Sequence, residues 1–237
     1  METNVLYNQD CLKGMQEIPD ESIDLVVTDC PYHIAHHGTS CGGGIFSDLQ
    51  NKHANSGKLF AHNDIAFSEW LPDVYRVLKQ CTHCHIMVNA HNLKELQIEA
   101  EKVGFIFQNL LVWKKDNSTP NKFYMNQLEF ILMLRKGAAK YVNDMGITNC
   151  LSCPNIIGKG AKGAHPTAKP VPLMELLIKQ SSNASDIVLD PFSGGGSTLI
   201  AAKRLKRQYI GFEIDPEYYT IADRRLTKDP QEISLFD

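Results

Sequence analysis

The chain has 237 residues, 43% of them hydrophobic, and a formal net charge of −3. That length and composition can bury one moderately large core, so residues 1–237 are expected to form a single domain. No apolar run approaches the ~20 residues needed to span a bilayer, and Met1-Glu2-Thr3-Asn4 lacks the basic-then-apolar pattern of a secretory signal. Seven scattered cysteines, an odd number, argue against a disulfide framework and for reduced thiols.

Asn4–Asn8 reads as the first strand, followed by Asp10 as a cap for a short helical turn. Ile23–Thr28 is a near-continuous apolar run, as a strand buried on both faces should be, and it ends in Asp29-Cys30-Pro31-Tyr32. His33–Asn63, with Gly42-Gly43-Gly44, fits neither helical nor strand periodicity and is expected to be a loop insertion. Trp70, Val74, Val77 and Leu78 then recur at helical spacing. His85–Asn89 is a strand; Leu93, Leu96, Ala100 and Val103 share one helix face, with Gly104 as the C-cap. Phe105–Trp113 and Leu128–Arg135 are strands with no helical pattern between them, which predicts an antiparallel pair. Gly137–Ala168 is a second long loop, its 137–164 portion a second insertion. Leu173, Leu176 and Leu177 start a helix after Pro170 and Pro172. The chain closes with strand Asp186–Asp190, a glycine turn, helix Leu199–Arg207, strand Gln208–Glu213 and a helix opened by Asp215-Pro216-Glu217. Strands alternating with helices predict an α/β fold, doubly wound around a mostly parallel sheet.

The glycine turn carries the first chemistry. Asp190-Pro191-Phe192-Ser193-Gly194-Gly195-Gly196 joins a strand to a helix start, where bare backbone lets a ligand approach and free N–H groups face it. Seventeen residues past Gly196, the next strand ends in Glu213, where a carboxylate can take both hydroxyls of a ribose. A dinucleotide fingerprint would need glycine at position 199, which is Leu199. Asp190 at the strand end would also repel a pyrophosphate. A ribose-bearing, cationic, amino-acid-like ligand fits better, and S-adenosylmethionine has all three features.

The second is Asp29-Cys30-Pro31-Tyr32, at the carboxyl edge where open α/β sheets bind ligands. It resembles the Asp-Pro-Pro-Tyr catalytic motif of the DNA amino-methyltransferases. The glycine turn resembles their cofactor loop, His165-Pro166-Thr167-Ala168-Lys169-Pro170 the segment ahead of it, and Asn8-Gln9-Asp10-Cys11-Leu12 their N-terminal cofactor segment. Catalytic motif before cofactor motif is the order of the β class. The resemblance covers roughly residues 4–32, 67–136 and 165–226.

It implies a circularly permuted, seven-stranded methyltransferase sheet and transfer of a methyl group from S-adenosylmethionine to adenine N6 of a flipped-out base in double-stranded DNA. Asp29 and the carbonyl of Cys30 would accept the two amine hydrogens, freeing the nitrogen lone pair. Pro31 would keep residue 30 extended, and Tyr32 would stack on the base. Cys30 stands where the family usually has proline; a backbone carbonyl does not depend on its side chain. Asp10, Cys11, Thr167, Lys169, Asp190, Phe192, Ser193, Gly194, Gly196 and Glu213 would hold the cofactor, Lys169 as counter-charge to its carboxylate. The resemblance also implies restriction–modification relatives, a homodimer as in many β-class members, and work in a bacterial cytoplasm, or in a host's if phage-encoded. Neither a membrane nor an obligatory metal is expected.

Lys114 to Lys169 holds nine lysines or arginines against three acids, a basic segment on an acidic body. The resemblance places the target-recognition segment at 137–164, which implies Lys114, Lys115, Lys140, Lys159 and Lys162 as phosphate contacts and Asn143, Asn149 and Asn155 as readers of base edges. Cys81-Thr82-His83-Cys84 and Cys150-Leu151-Ser152-Cys153 have the ligand types of a zinc site, but the pairs lie far apart and Cys84 enters a strand. Three rival functions remain, the first being methylation of RNA, although RNA-directed relatives usually carry Asn at the position of Asp29. Cytosine-N4 methylation uses nearly the same chemistry, although Asp at position 29 favours adenine in this family. A catalytically silent DNA- or cofactor-binding protein would keep the fold with Cys30 as a mark of decay.

Overall fold

Strand β2 (Ile23–Asp29) runs through the middle of the molecule because its side chains supply both cores: Val26 points to one helix layer, Leu25 and Val27 to the other. The computed structural model describes residues 1–31, 65–119, 124–155 and 169–228. Among them eight strands form one sheet. The other seven are β1 (Val5–Tyr7), β3 (Leu78–Val88), β4 (Ile106–Thr119), β5 (Asn126–Lys136), β6 (Cys150–Ser152), β7 (Ile187–Asp190) and β8 (Gln208–Phe212). Their order is β1-β8-β7-β2-β3-β5-β4-β6, and β5 alone runs against the rest.

Helices α1 (Cys11–Gln16), α2 (Phe67–Val77) and α3 (Leu93–Val103) cover one face with Met15, Trp70, Val74, Leu96 and Ala100. The other face is covered by α4 (Val171–Ser181), α5 (Ser197–Arg204) and α6 (Pro216–Thr227) with Leu173, Leu177, Leu199, Ala201 and Leu226. The helix signals hold locally. Asp10 caps α1 through Leu12 N, Asp215 caps α6 through Glu217 N and Tyr218 N, and Gly104 ends α3 at φ +115°.

The expected mixed α/β sheet is present, with β4 and β5 antiparallel as predicted. Three details differ. The seven expected strands are joined by an eighth, β6, three residues paired to the edge of β4 at Val112–Lys114. It forms because that edge offers unpaired backbone groups, not because Cys-Leu-Ser is a strand sequence. Leu78 belongs to β3, not to the helix before it: its backbone is extended and it pairs with Ile23. The strand expected at His85 therefore starts at Leu78, and it is irregular, with Cys81 at φ +59° and a register shift against Ile23 and Leu25.

Candidate active site

The parallel strands all present their carboxyl ends at one edge, and the two chemical motifs meet there. β2 pairs with β7 so that Val26 is level with Leu189, which sets Thr28 and Asp29 beside Asp190. Thr28 Oγ1 donates to Asp190 Oδ1 at 2.7 Å, and Phe192 N donates to the same oxygen at 3.2 Å. Asp190 is buried, at 2% exposure. Burial raises its pKa to about 7, against the lowering by these donors and by Thr198. Such a carboxyl is half-ionised near neutrality, and a cation alongside would complete its ionisation.

The turn after β7 is tight. Gly194 and Gly196 sit at φ +49° and +77°, and a Cβ on Gly196 would meet the Ala222 side chain at 3.0 Å. Ser193 Oγ donates to Asp190 O at 3.1 Å. Phe192 packs edge-on against Trp70 with ring centroids 5.1 Å apart. Glu213, one residue past β8, accepts from Gly194 N at 2.7 Å and Asp215 N at 2.8 Å. Asn8 Nδ2 donates to Glu213 O at 2.8 Å, so the start of the Asn8–Cys11 segment lies against Glu213. The Cys11 thiol is buried and pushed up to about 12, so it stays protonated and packs.

These residues fit S-adenosylmethionine. Asp190 is suited to meet a positive charge, and the Glu213 carboxylate, an acceptor at each oxygen, to meet a ribose. Among the described residues, Ser197 Oγ at the start of α5 and Trp70 Nε1 on α2, whose ring packs on Phe192, are buried polar atoms without a hydrogen-bond partner.

Asp29 ends β2, partly buried, and Lys169 Nζ donates to its Oδ2 at 2.6 Å. Burial raises the Asp29 carboxyl pKa and Lys169 opposes the rise. Cys30 is 2% exposed, its Sγ directed at Met87 O at 3.5 Å, and burial beside Asp29 drives its pKa far up. A thiol held neutral in the core is not a nucleophile.

Sequence reasoning missed Glu129. It lies on β5, paired with Trp113, and receives both Lys115 and Lys169 Nζ, the latter at 3.5 Å. Burial works against its ionisation, and the two ammoniums more than offset that, so its pKa is lowered. A lone acid in the apolar run Leu128–Met133 was the available signal.

The expected basic contacts separate. Asp29 is level with Met87, Ile131 and Leu111, so Lys114 lies beyond it toward the ligand edge, exposed on the arm that β4 and β5 extend to Thr119 and Asn126. Lys115 turns inward onto Glu129 and over the Trp113 ring. Lys140 lies at the opposite end of the sheet, its carbonyl on His83 Nε2 at 3.0 Å. Asn143 is bound there too, donating to Lys179 O and Ser182 O. Asn149 donates to Leu110 O on the sheet edge. Among its described residues, this segment reaches the ligand edge from β6 onward: Ser152 pairs with Lys114, Trp113 Nε1 donates to Cys153 O at 2.8 Å and Asn155 N to Asp116 Oδ1 at 2.7 Å. The structure thus does not bring Lys140 or Asn143 to the edge where Asp29 lies. Tyr32, Thr167, Lys159, Lys162 and the 33–63 insertion lie outside the described residues. Cys84 is buried in β3 and Cys150 exposed on β6, so the cysteine pairs stay apart; among the described residues no three His, Cys, Asp or Glu gather to hold a metal. Nor is any described helix long and apolar enough to cross a membrane.

A permuted methyltransferase sheet with an acid at each of three strand ends defines an S-adenosylmethionine-dependent methyltransferase. The model of the DNA methylase family that covers N6 and N4 amino-methylation matches residues 23–224, and the chain belongs to that family. It is 30% identical to the Type II methyltransferase M2.LlaDCHI of Lactococcus lactis subsp. cremoris, over 96% of this chain and 90% of that protein. The crystal structure of the M1.HpyAVI–SAM complex superposes with TM-score 0.69 at 26% identity, covering 94% of this chain and 98% of that one. The cytosine-N4-specific PvuII DNA methyltransferase shares the fold, with TM-score 0.73 at 18% identity over 99% of this chain and 89% of that one. The protein is a DNA methyltransferase, and S-adenosylmethionine is its cofactor.

Proposed function

We propose that the protein methylates N6 of an adenine flipped out of double-stranded DNA. The observation that carries this reading is the pairing of β2 with β7, which sets the Asp29 carboxylate next to the cofactor turn at Asp190. Bound S-adenosylmethionine supplies an electrophilic methyl group on a sulfonium. Asp190 and Glu213 hold its cationic and ribose ends, with Gly194 and Gly196 keeping the turn close to it. Asp10, Cys11, Phe192 and Ser193 complete the cofactor's surroundings.

An adenine amine is a poor nucleophile because its lone pair is delocalised into the ring. Asp29 accepts one N–H and the carbonyl of Cys30 the other, so the nitrogen pyramidalises and its lone pair is freed. Pro31 holds that carbonyl in place. The chain's contribution is alignment and a fixed electrostatic environment; flipping the base costs a few kcal/mol, offset by contacts to the duplex. Aspartate at position 29 supports adenine over cytosine. Lys114 on the projecting arm contacts phosphate, and the loops flanking the ligand edge read the target. The Type II relatives support a modification role in a bacterial cytoplasm.

The test is to incubate purified protein with S-adenosylmethionine and unmethylated genomic DNA, then digest to nucleosides for mass spectrometry. N6-methyladenine is the expected product. N4-methylcytosine would keep the site chemistry and overturn the base; no methylated base would overturn the reading.

A further inference from the structure

Behind Asp29 lies a row of alternating charges in which Lys169, expected at the cofactor carboxylate, and Lys115, expected at phosphate, are bound to acids of the chain itself. Lys169 Nζ stands 2.6 Å from Asp29 Oδ2 and 3.5 Å from Glu129 Oε2, while Lys115 grips Glu129 Oε1. The lysine side chains are 10% and 15% exposed, so these charges are largely out of water, and Lys115 is further held 5.1 Å over the Trp113 ring. Four elements contribute: β2, β4, β5 and the residue leading into α4.

The ammonium on Asp29 poses a conflict. The amine to be methylated gains positive charge as it takes the methyl group, and it needs an Asp29 oxygen as acceptor. An ammonium bound to that carboxylate weakens it as an acceptor and repels the developing charge. A second carboxylate within reach of the same ammonium resolves the conflict, since Lys169 needs to move by less than about 1 Å to make a charge-assisted hydrogen bond to Glu129.

We propose that Glu129 is a positioning residue that draws Lys169 away from Asp29 when the target amine arrives. Lys169 is then a latch: it steadies the Asp29 carboxylate while the site waits, and moves onto Glu129 as the substrate N–H replaces it. Lys115 orients Glu129 by occupying its far oxygen and keeps it ionised. Among the described residues, the charged and titratable groups facing Asp29 are Lys169, Glu129, Lys115, Asp190 on β7 and the neutral Cys30 thiol. Of these Glu129 pushes the Asp29 pKa up, and Lys169 and Lys115 push it down. The inference rests on Asp29 being the acceptor for the target amine.

The test is Glu129→Gln, which keeps size and removes charge. At saturating DNA and cofactor, kcat falls by about tenfold to a hundredfold, as for other residues that orient a reacting group, with both KM values little changed. The acid limb of the kcat–pH profile moves to lower pH, because Lys169 now serves Asp29 alone. Carboxyl-carbon NMR of the cofactor-free protein shows the same downward shift at Asp29. Adding Lys169→Gln to Glu129→Gln restores part of the lost kcat, since it removes the ammonium that has become a lock. If Glu129→Gln leaves kcat and the acid limb at parental values, or lowers only the unfolding midpoint, Glu129 is structural and the proposal falls. A parent protein that makes no methylated base overturns the Asp29 reading itself, and the latch with it.

Discussion

At the amino end of the parallel strands, Lys136 is 4% exposed, yet its ammonium donates to Tyr75 O at 2.8 Å and Leu78 O at 2.7 Å, and pairs with Glu21. It closes the carboxyl end of α2, where the helix dipole favours a basic side chain. Nearby, His83 Nε2 faces Lys140 O and must carry the proton, so its Nδ1 accepts from Ser181 Oγ at 3.0 Å. The Ser181 hydroxyl has then used its hydrogen, and His85 Nε2 donates to it at 2.8 Å. Burial keeps both rings neutral, lowering His85 to about 3. At the carboxyl end of the same strands, Asp190 has a pKa of about 7, raised by burial, and the Asp29 pKa is raised. Both ends bury ionisable groups. At one end the polar groups are held by partners within the protein; at the other Asp190, raised to about 7, is left for a ligand to tip. A perturbed group marks function when its partner set is open.

That contrast breaks most sharply at Asp29. Asp29→Ala should lower kcat by at least about a hundredfold to a thousandfold while cofactor binding, read by calorimetry, persists; a protein that only binds has no turnover to lose. Lys136→Met should do the reverse, costing about 2–4 kcal/mol in urea unfolding because buried carbonyls lose their donor, with kcat intact in the folded protein. Equal losses of activity and stability in either variant would erase the distinction between the two ends.

Asp190 sharpens it through pH. Its folded pKa lies above the unfolded value, so its contribution to stability is present at low pH and lost as pH rises through about 7. Cofactor affinity runs the opposite way, since a cation selects the ionised form. Dissociation constants should rise by up to about tenfold per pH unit below that pKa, and Asp190→Asn should bind weakly with a flat profile. A parental profile that is flat would show that the cofactor's charge does not sense Asp190. The smallest effect concerns DNA. Lys114→Ala should reduce the salt slope of binding by about 1, and Lys140→Ala should leave it unchanged; a salt-slope change at Lys140 would put DNA against the wrong end of the sheet.

Helix caps were legible because they are local: Asp10, Gly104 and Asp215 act within a few residues of themselves. The boundary at Leu78 was not, since its apolar side chain suits a helix face as well as a strand; pairing with Ile23 decided it. β6 was invisible because its strand character comes from its neighbour. At the site, Asp29, Asp190, Glu213 and the glycines were readable from strand ends and turn chemistry. The role of each lysine was not. A basic residue is written the same way whether it meets Glu129, as Lys115 does, Asp29, as Lys169 does, or solvent, as Lys114 does.

The sequence by itself determined the α/β class, the order of the motifs and the acids at the strand ends, because periodicity, capping and turn formation depend on near neighbours. Only the tertiary structure decided which charges share a dry environment and which end of the sheet each lysine joins. Ion pairing at 2.6 Å between residues 140 positions apart is set by the packing of four elements, and no local pattern encodes it.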